Sequence, residues 1–62
     1  MRKRRELELL LIYQSMEIDN IKIILNLNKD KMTKVEIDTY LDKLSKAMQT
    51  KESLQIELEK LD

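Results

Sequence analysis

Neither glycine nor proline occurs anywhere in the 62 residues. Glycine enters left-handed turns and phosphate-cradling loops without steric cost, and proline forces a helix to stop. A chain lacking both has only the local chemistry of its polar side chains to interrupt a helix, so long helices are the default. One stretch supplies such chemistry, Asn26-Leu27-Asn28-Lys29-Asp30-Lys31-Met32, where Asn and Asp compete with helical hydrogen bonding through their own side chains. Directly after it, Thr33 and Glu36 stand at T-x-x-E spacing, with Met32 and Ile37 in the positions of a hydrophobic staple. Together these mark the start of a helix. The pattern predicts one helix over about 6–27, a turn over about 28–32 and a second helix over about 33–61. A connection of roughly five residues is usual between antiparallel neighbouring helices. The expected fold class is therefore all-α, an antiparallel two-helix hairpin of coiled-coil type forming one domain over residues 1–62. A single helix bent through residues 26–33 is the alternative, disfavoured because Asn and Asp are poor helix-interior residues.

The second helix carries a heptad. Ile37, Leu44, Lys51 and Leu58 occupy one core position, and Tyr40, Ala47, Leu54 and Leu61 the other, so seven of the eight are apolar. A 3.5-residue repeat held over four heptads predicts a packing seam against another helix. Leu41 and Met48 widen that seam, and Asp42 with Lys46 forms an i,i+4 charge pair on the outward side.

The first helix differs in kind, since thirteen of the twenty-one residues from Leu7 to Leu27 are apolar. They fall into two series, each spaced four, three, four, three, four. One runs Leu7, Leu11, Gln14, Ile18, Ile21, Leu25; the other runs Leu9, Tyr13, Met16, Asn20, Ile23, Leu27. Leu10 and Ile24 lie between them, and only a narrow stripe of Glu8, Ser15, Asp19, Lys22 and Asn26 is consistently polar. A helix apolar around most of its circumference belongs in the middle of an assembly. The second helix covers one series at most, and the spacing leaves open which. The other series implies a partner, either a second copy in a homo-oligomer, a dimer first of all, or another helical protein, which would complete a helical bundle. The apolar residues of both series are thus candidate partner contacts. Gln14, Asn20 and Lys51 are polar insertions of the kind that fix register or oligomer number, or that reach water from a seam edge.

Composition removes most other functions. With no Cys and no His, the chain has no thiol chemistry, no disulfide, no Cys/His zinc site and no Ser–His or Cys–His nucleophile. Twelve basic residues balance twelve acidic ones, so no global field steers it toward nucleic acid or an anionic membrane. The polar residues of the first helix also rule out a bilayer span. The basic start followed by Leu9–Tyr13 lacks the uninterrupted apolar stretch and small-residue cleavage site of a secretory signal, which points to the cytoplasm. Locally, Arg2, Lys3, Arg4 and Arg5 form a possible anion-binding run, though without neighbouring aromatic residues a frayed, solvated tail explains it better. Asn26, Asn28, Asp30 and Glu36 echo a calcium loop, but Lys31 stands where that loop needs glycine and Ile37 where it needs its bidentate carboxylate. Asp38 and Asp42, one turn apart, are better explained as acids near a helix N-terminus than as a metal or acid–base pair. No catalytic residue, cofactor or metal is expected.

Leu41-Asp42-Lys43-Leu44 resembles part of the Ser-Gln-Glu-Leu-Asp-Lys-Leu stretch of the small sporulation aspartyl-phosphate phosphatases. That resemblance implies a helical hairpin acting on a phosphorylated response regulator, with Asp42 as the functional carboxylate. It covers four residues, and the chain departs from the pattern at Asp38-Thr39-Tyr40, where Ser-Gln-Glu would stand, in the absence of an interhelical glycine and in the length of the second helix. In architecture alone the hairpin is also similar to Rop-type RNA-binding hairpins and to small secretion-needle chaperones, a likeness without shared motif. The expectation from the residues themselves is a non-enzymatic interaction protein, a regulator, adaptor or chaperone. A phosphatase-like modulator and a nucleic-acid-binding hairpin using the basic N-terminus are the alternatives.

Overall fold

A computed structural model describes residues 3–61. Helix α1 spans Arg4–Asn28, a 3-10 turn follows at Lys29–Lys31, and helix α2 spans Lys34–Glu59. The helices lie side by side in a rod of 46 × 15 × 13 Å. Their order is antiparallel: Ile24 shares a groove with Tyr40, and Ile18 shares one with Met48 and Lys51.

The reversal is made without a left-handed residue, although Asn28 or Asp30 could have supplied one; no described residue has positive φ. Asn28 ends α1 at φ −114°, ψ 4°, with its side-chain amide donating back to the Ile24 carbonyl at 3.1 Å. One tight turn follows, and then Met32 and Thr33 open into extended backbone at ψ 143° and 162°. Those two extended residues turn the chain back. Helix α2 starts from a complete capping box: the Thr33 hydroxyl accepts from the Glu36 N–H at 3.2 Å, and the Glu36 carboxylate accepts from the Thr33 N–H at 3.1 Å. Each bond satisfies a backbone or cap donor that the helix itself leaves open. Met32 and Ile37, on either side of the box, are both half-buried, as a staple requires.

The helix limits differ from the sequence expectation at three ends. Helix α1 begins at Arg4 rather than near residue 6, because nothing at Arg4 or Arg5 opposes helix and the Arg4 guanidinium pairs one turn on with Glu8 at 3.2 Å. Residues 29–31 remain helical in the tighter 3-10 form. Helix α2 stops at Glu59 instead of running to residue 61, where the last turn tightens and the Leu61 N–H donates to Leu58 at 3.2 Å.

Packing follows the heptad. Within α2 and its final turn, the buried and half-buried residues are Ile37, Tyr40, Leu44, Ala47, Lys51, Leu54, Leu58 and Leu61, the eight positions of the repeat and no others. They meet the first of the two α1 series: Leu7, Ile18 and Ile21 are buried, and Leu11, Gln14 and Leu25 are half-buried. Ser15 and Ile24 flank this seam and are half-buried with it. Two threonines within α2 turn their hydroxyls back onto carbonyls one turn earlier, Thr39 to Val35 at 2.8 Å and Thr50 to Lys46 at 3.0 Å, so each hydroxyl finds an acceptor within its own helix.

Candidate interaction surface

The second α1 series remains uncovered. Leu9, Tyr13, Met16, Ile23 and Leu27 are each more than half exposed, from 54% at Ile23 to 77% at Leu27. Helical geometry places this series opposite the seam. Successive residues advance by about 100°, so a stripe displaced by two positions from Leu7, Leu11, Ile18 and Leu25 lies on the far side of α1. Ile12, 58% exposed, joins it. It fits neither four-three series and was missed for that reason; its place next to Tyr13 and one turn before Met16 would have revealed it. Between Tyr13 and Ile23 the surface dips into a shallow groove lined also by Met16, Glu17, Asp19 and Asn20.

The ten apolar residues of α1 that the sequence offers as partner contacts therefore divide. Leu7, Leu11, Ile18, Ile21 and Leu25 are taken up by α2 within the chain, because α2 has one apolar seam and fills the series it packs on. Leu9, Tyr13, Met16, Ile23 and Leu27 stay open. On α2, Leu41 and Met48 do not widen the seam as their spacing suggests but stay 48% and 52% exposed beside it.

The surplus of surface can be gauged. A compact chain of 7.5 kDa exposes about 4,200 Å² by the usual area–mass relation. This chain exposes 5226 Å², an excess of about 1,000 Å² over that relation. The radius of gyration agrees, at 14.2 Å against about 10.5 Å for a compact domain of this length. A standard interface removes about 800 Å² from each partner, so the excess is of the size that one association would take up.

The polar candidates are placed on the surface. Of the basic run, Arg2 lies outside the described residues; Lys3 is the N-cap of α1, without a side-chain cap bond, while Arg4 is engaged by Glu8. Asp42, the residue singled out by the phosphatase resemblance, is exposed and held by the Lys46 ammonium at 3.0 Å. Of the calcium-like residues, the Asn28 amide and the Glu36 carboxylate already serve as the C-terminal bond of α1 and the cap of α2. The Glu36 carboxyl is held below its ordinary value of 4.5 chiefly by the Thr33 backbone N–H and then by the Thr33 hydroxyl, with slight desolvation opposing. Tyr40 is half-buried at the seam with the Lys43 ammonium 5.4 Å from its ring centre, while Tyr13 lies on the open face, 59% exposed. Among the described residues no helix is long and apolar enough to cross a membrane. Comparison with protein-family models, with curated proteins and with solved structures yields no match to this chain.

Proposed function

We propose that this chain is a non-enzymatic interaction module, a small regulator, adaptor or chaperone that docks another helix on the outward face of α1. One observation carries the reading: a helix whose inner face already packs on α2 presents a second apolar stripe of equal length to solvent, from Leu9 to Leu27. A contiguous apolar patch of this kind marks an interaction site on a soluble surface, and its four-three spacing is the imprint of a helical partner. The alternation of Tyr, Met, Leu and Ile along it suits such a contact, since aromatic residues and Met are enriched at interface cores.

The test is a substitution at the centre of the stripe. Met16→Glu keeps full helicity by circular dichroism, because Met16 is 65% exposed in the hairpin, and it abolishes association. Association is read as sedimenting mass across a concentration series and as quantitative capture from an extract of the protein's source. A Met16→Glu protein with the mass and the capture profile of wild type overturns the reading.

A further inference from the structure

Resting on that docking reading, the geometry points to the identity of the occupant: a second copy of this chain, with α1 packed on α1 in parallel and in register, so that Asn20 meets Asn20 at the middle of the interface. The first support is the composition of the stripe. In a parallel, in-register pair every position meets itself, so Leu9, Tyr13, Met16, Ile23 and Leu27 each oppose an apolar residue. The single polar residue opposes its own kind. An amide is the side chain for which this works, because it carries two donors and an acceptor, so that two copies satisfy each other. A carboxylate or an ammonium in that place would repel its counterpart. A lone Asn at one core position is also the device by which parallel helical dimers fix register and copy number.

Charge selects the orientation. The residues flanking the stripe near its centre are Glu17 on one side and Asp19 on the other. In the parallel pair each flank faces the opposite flank of the other copy five residues on, which sets Ile12 beside Glu17 and Asp19 beside Ile24, with no like charges opposed. In the antiparallel alignment, which pairs Leu9 with Leu27, Glu17 meets Glu17 and Asp19 meets Asp19. Sliding that alignment by a heptad relieves the repulsion but leaves two apolar residues of the stripe uncovered, Ile23 and Leu27 in one direction or Leu9 and Tyr13 in the other. The available area fits one such contact, since the surface in excess of a compact chain matches what each copy gives to a standard interface. The resulting dimer is a layer of four helices with the two α1 helices inside, closed by a two-fold axis parallel to them.

The experiment uses the absence of native cysteine and two outward positions far from α2. Wild type is sedimented across a concentration series, and Leu9→Cys and Leu27→Cys are oxidised separately and as a mixture. The parallel dimer gives twice the chain mass and a disulfide-linked dimer from each variant alone, because like positions lie within the roughly 7 Å that a disulfide spans. In the antiparallel pair the two like cysteines are about 27 Å apart along the helix, so cross-linking only in the mixture overturns the orientation and with it the role of Asn20. A mass of three or more chains overturns the single second copy. A monomeric wild type overturns self-association. If Met16→Glu still abolishes capture of another protein in that case, the docking reading survives with a different occupant; if it does not, both fall.

Discussion

The two faces of α1 have nearly the same spacing and nearly the same residue types, yet one is interior and the other is surface. Every member of the series Leu7 to Leu25 is buried or half-buried, whereas the apolar members of the series Leu9 to Leu27 all exceed half exposure. Local chemistry does not separate them, as each has one polar insertion, Gln14 in the first and Asn20 in the second. The contrast shows that burial here is assigned by which face the returning helix meets. Beyond the turn, where Met32 and Thr33 run extended, α2 returns along one side of α1 only. A helix can thus carry one stripe that makes the hairpin and another, of the same spacing, that the hairpin leaves exposed.

The sharpest way to break this contrast is to place the same charge on both faces. Ile18→Glu buries an unpaired carboxylate at a site only 7% exposed and should cost several kcal/mol, enough to abolish the cooperative thermal transition followed at 222 nm. Met16→Glu should leave that transition nearly intact when the protein is studied as dilute chains. Equal loss of helicity in both would mean that the outward face is also essential to the single hairpin. The same comparison extends to α2, where Leu54→Ala should cost about 2–5 kcal/mol by urea denaturation, its side chain being 4% exposed. Ile56→Ala, at 46% exposure, should stay within about 0.5 kcal/mol.

Smaller effects sharpen the definition of the inner seam. Lys51 is its one charged member on α2, half-buried beside Ile18, Lys22 and Met48, and Lys51→Leu should raise stability by about 1 kcal/mol. In a chain of this size that is a rise of roughly 4–8 °C in the melting midpoint; a fall would reveal a specific charge contact at that level. Thr33→Ala removes the cap acceptor and should cost about 1 kcal/mol, seen as a lower midpoint and as faster amide exchange in the first turn of α2. The least effect concerns pH. Because the folded Glu36 carboxyl titrates below its ordinary 4.5, its contribution is present above the unfolded value and is lost as pH falls through the folded one. Wild type should therefore exceed Glu36→Gln in melting midpoint at neutral pH, with the difference closing below about pH 4.5. A difference that does not change with pH would assign the cap to geometry alone.

Much of the inner architecture was legible because it rests on short-range rules. The capping box needs two residues three apart, and the α2 seam needs a period, so Thr33, Glu36 and all eight heptad positions are written in the order of the residues. The helix ends were legible only approximately, since fraying and 3-10 tightening at Lys29–Lys31 and past Glu59 depend on marginal local energies. Ile12 escaped because a strict four-three pattern has no place for it, although the surface it helps to form is wider than such a pattern. Which of the two α1 series serves the hairpin was not legible at all.

By itself, then, the sequence determined that this protein is two long helices with one turn, where α2 begins, and that α1 has more apolar surface than one neighbour can cover. Those are matters of residue chemistry and periodicity, which act within a few turns of helix. That Leu7, Leu11, Ile18, Ile21 and Leu25 lie against α2, and that Leu9, Tyr13, Met16, Ile23 and Leu27 are left outside, emerges from the packing of the two helices. Two stripes of equal spacing on opposite sides of a helix are equivalent to any local rule. The equivalence is broken only when α2 packs along one side of α1, since a single helix with one apolar seam cannot cover both.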